Sequence, residues 1–264
     1  MRRHPDRNEK RDRPSPLEKT PIVFGVLPVL EALRAGARKV DKIFLAEGAH
    51  EKRLAEIVEL ARQQGIVVNR APRQKLNEMT GPDANHQGVV AMTASAAYAD
   101  ADEIVDKVGE DALLLILDGV EDPRNFGAIL RTAECAGVDG VLIPERRSVG
   151  ITETVAKSSA GATEYVKVAK VANLNRTIEE LKEKNIWVVG TSADAELDHT
   201  EWDWTRPTAL VLGGEGKGLH RLVAENCDVL VKIPMYGKIQ SLNVSVAAGV
   251  VLFEARRQRA AKGK

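Results

Sequence analysis

The 264-residue chain contains only two cysteines, Cys135 and Cys227, 92 positions apart and in no Cys-x-x-Cys pair. That excludes a zinc ribbon and a disulfide framework, and it fits a reducing compartment. No apolar run approaches the roughly 18 to 20 residues that cross a bilayer. Met1–Arg13 is charged with no apolar segment behind it, which excludes a secretion signal from the reading. A cytoplasmic location with no membrane partner is expected. The histidines, His4, His50, His86, His199 and His220, never fall at H-x-x-x-H or H-E-x-x-H spacing, so no metal is expected. Net charge is lacking as well: 38 Lys/Arg balance 38 Asp/Glu. Taken alone, that balance argues against a polyanionic partner, but the charge is unevenly spread. Residues 1–20 carry seven basic against four acidic side chains and residues 254–264 five against one, which leaves −7 between the ends. Basic termini of this kind either touch phosphates or serve as solubilising tails.

With 44% hydrophobic and 29% charged residues, the chain has enough apolar material for a core, and its length suits two domains. Residues 1–20 hold three prolines and almost no apolar side chain, so they are expected to be a disordered basic tail. Residues 21–94 read as a small α/β unit. In it GVLPVLEALRAG forms a helix closed by Gly36, KIFLA a strand, 51–65 a helix ending at Gly65, IVVN a strand, 72–80 a helix and HQGVVAMT a strand. The small, polar stretch 95–105 reads as a linker that opens a helix. Beyond it, over 106–260, ALLLILDGV (112–120) is a continuous apolar run, as in a strand buried on both faces. GVLIP, EYVKV (164–168), IWVVGTS, ALVLGG and DVLVKIP follow as further strands with helical patterns between most of them, which predicts a parallel sheet covered on both sides.

In an open α/β sheet, ligands settle at the carboxyl ends of the strands, and three segments there stand out. LDGVEDPRNFGAILRTAECAG ends a strand at Asp118 and starts a helix near Asn125, with Arg131 six residues on. Read alone, Asn125 serves equally well as a helix cap and Arg131 as a surface charge. ALVLGGEGKGL (209–219) sets four glycines and Glu215 after a strand, yet it matches neither the G-x-G-x-x-G nor the P-loop template. A bare glycine turn is the alternative. KIPMYGKIQSLNVSVAAGVVLFEARRQ (232–258) leads through Ser241 and Asn243 into an apolar helix, expected to be buried on more than one side, whose start either residue can cap. Trp202 and Trp204 in WDW read as plugs holding a loop onto the sheet rather than as base-stacking residues.

Taken in order, N-x-G-x-x-x-R at 125–131, GGEGKGL and IPMYGKIQSLNVSVAAGVVLFE resemble the three motifs of the SpoU (TrmH-like) branch of the SPOUT RNA methyltransferases. The likeness extends over 112–258. The region 22–93 resembles the L30e-like RNA-binding domain that precedes the catalytic domain in the 23S rRNA guanosine 2′-O-methyltransferase subgroup. The resemblance implies an α/β catalytic domain with a SPOUT-type parallel sheet and a deep trefoil knot, a homodimer with the active site near the subunit interface, and S-adenosylmethionine as methyl donor. By motif position it places Gly213, Ile233 and Leu242 around the donor. Asn125, Arg131, Glu215, Ser241 and Asn243 become the polar catalytic set, with Asn125 orienting Arg131 and Glu215 orienting Arg131 or Asn243. It further implies methylation of a guanosine ribose in 23S rRNA, in the peptidyl-transferase P loop. A tRNA enzyme of the same family and a non-catalytic ribosome-assembly factor stand as alternatives. The front domain would supply recognition, with Lys52, Arg53, Arg62, Arg70, Arg73 and Lys75 as a possible phosphate face or simply as solvated charges.

Overall fold

The computed structural model describes residues 21–49, 51–81 and 84–263, and the tail expected over 1–20 lies outside them. In chain order the first unit comprises β1 (Ile22–Phe24), α1 (Val26–Ala35), β2 (Val40–Ala46), α2 (Glu51–Gln63), β3 (Val67–Ala71), α3 (Arg73–Thr80) and β4 (Val89–Thr93). Its strands lie in the order β1-β4-β2-β3, with only β2 and β3 parallel. Strand alternation splits the apolar residues between two small cores. Val29, Leu33, Ile43 and Ile57 pack α1 and α2 on one face, while Phe24, Phe44, Leu76 and Val90 pack α3 on the other.

The second unit runs α4 (Ala101–Lys107), β5 (Leu113–Asp118), α5 (Pro123–Cys135), β6 (Gly140–Pro144), α6 (Glu153–Ser158), β7 (Val168–Val171), α7 (Leu174–Glu183), β8 (Trp187–Thr191), β9 (Leu197–Asp198), β10 (Thr208–Gly213), α8 (Arg221–Asn226), β11 (Val229–Lys232) and α9 (Val244–Lys262). Its seven strands are ordered β7-β6-β5-β10-β8-β11-β9, and each neighbouring pair is parallel. The apolar run of β5 explains its central place. Leu113, Leu115 and Leu117 join the core under α5, α6 and α9, whereas Leu114 and Ile116 join the core under α4, α7 and α8. The chain leaves β5 toward β6 and β7, then crosses back so that β10 lies on β5's other side. The carboxyl ends of β5 and β10 therefore flank a topological switch point, with Asp118 and Gly213 in register. Among the described residues no helix is long and apolar enough to cross a membrane.

Three expectations need correction. The strand placed at 164–168 starts later, at Val168, because Ala160 and Gly161 take positive φ (52° and 94°) and turn Ala162–Glu164 into a 3-10 turn. The last helix is not buried all round: Val244, Ala248, Val251, Leu252 and Ala255 are buried, but Val246, Val250 and Phe253 stay exposed. The basic C-terminus does not extend as a free arm. Arg256 donates to the carbonyls of Ala136 and Gly137, and Arg259 donates to those of Trp204 at 2.8 Å and Ala112 at 2.7 Å, so these charges close the ends of other elements. Both WDW tryptophans are buried, and the Trp204 indole donates to the His199 carbonyl at 2.7 Å, as a plug should.

The two units touch directly. Arg38, in the loop after α1, makes a paired contact with Glu164, Nε to Oε2 at 2.8 Å and Nη2 to Oε1 at 2.7 Å. The Tyr165 hydroxyl donates to Glu31 of α1 at 2.6 Å. That bond holds the phenol pKa up at about 12.

Candidate active site

The first and third segments meet at the starts of α5 and α9. Asp122 caps α5, its Oδ1 accepting from Arg124 N at 2.7 Å and Asn125 N at 2.9 Å, and Pro123 sits in the first turn, where its missing N–H costs nothing. Asn125 is therefore not the cap. Its side-chain oxygen instead accepts from Asn243 Nδ2 at 3.1 Å, a bond between residues 118 apart in sequence. Asn243 does cap α9: its Oδ1 accepts from Ser245 N at 2.9 Å and Ser245 Oγ at 2.6 Å. With both ends of the amide engaged, Asn243 is fixed in orientation and fixes Asn125 in turn. Gly127 explains the N-x-G spacing. A Cβ there would sit 1.9 Å from Ser158 Oγ and 2.8 Å from the Val155 carbonyl, so α6 seats against bare backbone two residues after Asn125.

The second segment follows β10. A Cβ on Gly213 would lie 2.1 Å from the Gly218 carbonyl carbon, and one on Gly214 would lie 2.2 Å from the Gly119 carbonyl oxygen. Gly216 and Gly218 have φ of 77° and 64°. Two glycines thus permit close approach and two permit the turn, which folds the loop back on itself, Gly218 N to Gly214 O at 3.2 Å, against the end of β5. Glu215 stands exposed at the tip of this loop.

Placement of the other expected residues is uneven. The side chains of Arg131, Glu215 and Ser241 are exposed and make no hydrogen bond or ion pair with any described residue, so a single chain does not join Glu215 to Arg131 or to Asn243. Ile233 packs half-buried on the core of β5 and α9, whereas Leu242 is exposed. The loop before α9 also displays Tyr236, 97% exposed, and Ile239, 78% exposed, in addition to the exposed Val246, Val250 and Phe253 of the helix. In the first unit, Arg73 lines a cavity with Asn85 and Gln87, Lys75 lies over the Phe44 ring at 5.3 Å, Arg62 pairs with Glu59 at 2.7 Å, and the Arg53 side chain lies outside the described residues.

One pair escaped the sequence reading. Asp118 is buried, and its carboxylate accepts from His220 N at 2.7 Å and from ring Nδ1 at 2.8 Å. Between these elements Gly119, φ 81°, would place a Cβ 3.3 Å from the imidazole. His220 lacks metal-ligand spacing and carries no other mark in the sequence. The available signal was an acidic residue at the carboxyl end of the most apolar strand.

Comparison with known proteins follows this division of the chain. The SpoU rRNA methylase family matches residues 112–253, and the RNA 2′-O ribose methyltransferase substrate-binding domain matches residues 22–99. YacO of Bacillus subtilis, whose name assigns it to the TrmH family of tRNA/rRNA methyltransferases, is 48% identical over 240 residues, 90% of this chain and 95% of that protein. A Staphylococcus haemolyticus protein named for the same family is 44% identical over 242 residues, 90% of this chain and 96% of its own. Among solved structures, the SpoU methyltransferase AviRb from Streptomyces viridochromogenes superposes with a TM-score of 0.78 at 27% identity over 92% of this chain and 91% of that one, and it has also been crystallised with its cofactor AdoMet. With its methylase core, its preceding substrate-binding domain and relatives matched almost end to end, the chain belongs to the SpoU rRNA methylase family, RNA 2′-O-methyltransferases that use S-adenosylmethionine as methyl donor.

Proposed function

We propose that the protein methylates the ribose 2′-hydroxyl of a guanosine in 23S rRNA, in the peptidyl-transferase P loop, and that it works in the cytoplasm as a homodimer with a knotted catalytic domain. The observation that carries this reading is the Asn125–Asn243 bond, which draws the first and third motifs to one point. The residues fit the donor. The glycine loop presents open backbone, with nothing within 4 Å of a Cβ on Gly216, and Ile233 and Leu242 add apolar surface for a base. Gly213, Ile233 and Leu242 would hold it. When bound, the sulfonium compound supplies an already activated methyl group.

What remains for the chain is to align the sugar oxygen and help its proton leave. Alignment is the larger part, since well-oriented reactants gain on the order of 7–11 kcal/mol over free encounter. In this reading Arg131 stays protonated, holds the phosphate next to the target ribose and stabilises the developing alkoxide. The proton goes to phosphate, water or a neighbouring group. Asn125, fixed by Asn243, borders the ribose, and Glu215 and Ser241 act on groups brought by RNA or by the second protomer. The exposed Val246, Val250 and Phe253, at i, i+4 and i+7 of α9, support dimerisation, because an apolar stripe on one helix face suits burial against a second copy, and the exposed Tyr236 and Ile239 precede it in the chain. The knotted course is part of the family reading: a segment between β11 and α9 that ends on Asn125, as Asn243 does, is compatible with it.

A tRNA substrate is the second reading, favoured by the joint tRNA/rRNA naming of the relatives. The deciding experiment is transfer of labelled methyl from S-adenosylmethionine into purified rRNA and tRNA, with the modified ribose mapped. Label in the P-loop guanosine supports the proposal, label in tRNA selects the second reading, and label in neither removes both. Arg131→Ala should abolish transfer while leaving donor affinity within a few-fold; retained transfer would overturn its role.

A further inference from the structure

A cavity of about 480 Å³ opens at the carboxyl ends of β5, β6 and β7, lined among others by Asp118, Arg146, Arg147, Asn173, His220 and Arg221. It lies toward α7 and α8, whereas Asn125 and Asn243 stand at the starts of helices on the opposite face of the sheet. Gly119 connects the two regions: it lines the cavity, and its carbonyl supports Gly214, next to Glu215.

The lining is rich in donors. Arg146 and Arg147 are exposed and make no hydrogen bond or ion pair with any described residue, whereas Arg221 pairs with Glu225 at 2.6 Å. Asp118 adds a carboxylate, but both of its oxygens are taken by His220, whose ring is left with Nε2 unpartnered. Asn173 spends its side-chain oxygen on Asn175 N at 3.0 Å and Arg176 N at 3.4 Å, which caps α7 and leaves its NH₂ group as a donor. Two guanidinium groups and an amide NH₂ set around this space call for a ligand that is anionic and made of acceptors. No aromatic ring apart from His220 is among the lining residues, so nothing there sandwiches a base. A site without a stacking platform reads backbone rather than base.

We propose that this cavity is a phosphodiester subsite for the RNA strand flanking the methylated nucleotide, with Arg146 and Arg147 neutralising phosphate and the Asn173 NH₂ group donating to it. The inference rests on the reading of RNA as substrate. It adds a contact on the catalytic domain itself, apart from the substrate-binding domain and from the Asn125–Asn243 point.

The test uses the full chain, a labelled 23S rRNA fragment carrying the P loop, and binding measured across a salt series. Arg146→Ala/Arg147→Ala should weaken RNA binding by about tenfold or more and make the slope of log affinity against log salt shallower by about 1.4, two contacts at roughly 0.7 each for a single strand. Arg146→Lys/Arg147→Lys should restore the slope, and S-adenosylmethionine affinity should stay within about twofold in both variants. Unchanged RNA affinity and slope in the alanine variant, with methyl transfer by the parent protein intact, would overturn the subsite alone. Guanosine monophosphate binding that is lost in the alanine variant while RNA binding is not would also overturn it, and would give the cavity to free nucleotides. If the parent protein neither binds nor methylates RNA, the functional reading falls and the subsite with it.

Discussion

Removing Arg38 should loosen the substrate-binding domain from the catalytic domain. The Arg38 and Glu164 side chains are 8% and 1% exposed and are joined by two bonds of 2.8 and 2.7 Å. In Arg38→Ala the Glu164 carboxylate keeps one weak neighbour, the Thr163 hydroxyl at 3.4 Å. A buried charge deprived of its partner costs about 3–5 kcal/mol. By contrast, the exposed Arg34–Glu56 pair, 43% and 55% accessible, is screened by solvent and should matter far less despite its shorter contact. The assay is urea unfolding followed by two probes. Trp187, Trp202 and Trp204 all lie in the second unit, so their fluorescence reports that unit while far-ultraviolet circular dichroism reports both. The expected result for Arg38→Ala is a loss of about 3–5 kcal/mol, with the dichroism transition moving ahead of the fluorescence transition. Arg38→Met combined with Glu164→Leu should recover most of the loss, because apolar replacement of both partners removes the stranded charge. Arg38→Ala within about 1 kcal/mol of the parent, with coincident transitions, would refute the reasoning; so would a double variant no better than the single one.

Three further outcomes are expected. Gly213→Ala forces a methyl group onto the backbone of Gly218 and Leu219, which cannot swing away as a side chain would, so donor affinity measured by calorimetry should drop by about tenfold or more, and parental affinity would contradict the packing argument. Asn243→Ser keeps a competent cap for α9 but is too short to reach Asn125; thermal stability should fall by less than about 1 kcal/mol while the methyl-transfer rate drops sharply, and parallel losses would reduce Asn243 to a cap. Burial pushes the Cys227 thiol up to about 12 from an ordinary 9.0. A folded-state value above the unfolded one means its contribution to stability is complete below about pH 9 and drains away as pH climbs toward 12. Cys227→Ala should flatten the stability profile over that window, and an unaltered profile would count against the burial.

Most of the sheet was legible because β5, β6, β8, β10 and β11 are apolar runs bounded by turn residues, and buried parallel strands write themselves that way. β1 and β9, of three and two residues, are too short to show a period. α9 misled because its apolar residues exceed what one face needs; composition cannot say whether the surplus meets the same chain or another. Within the site, Asn125 and Asn243 were marked by motif position, but only coordinates reveal that Asp122 takes over the cap and frees Asn125 for its distant partner. Asp118 and His220, 102 residues apart, carried no spacing signal at all.

The bond between Asn125 and Asn243 has a consequence for biosynthesis. Ribosomes add about 5–20 residues per second, so the 118 positions between the two amides put their synthesis roughly 6–24 s apart. During that interval the first half of the centre lacks its counterpart, and a chain arrested after residue 99 but before α9 carries the substrate-binding domain and no finished catalyst. Such fragments would occupy RNA without modifying it, so translational stalling late in this message should act as a dominant inhibitor rather than as a simple loss.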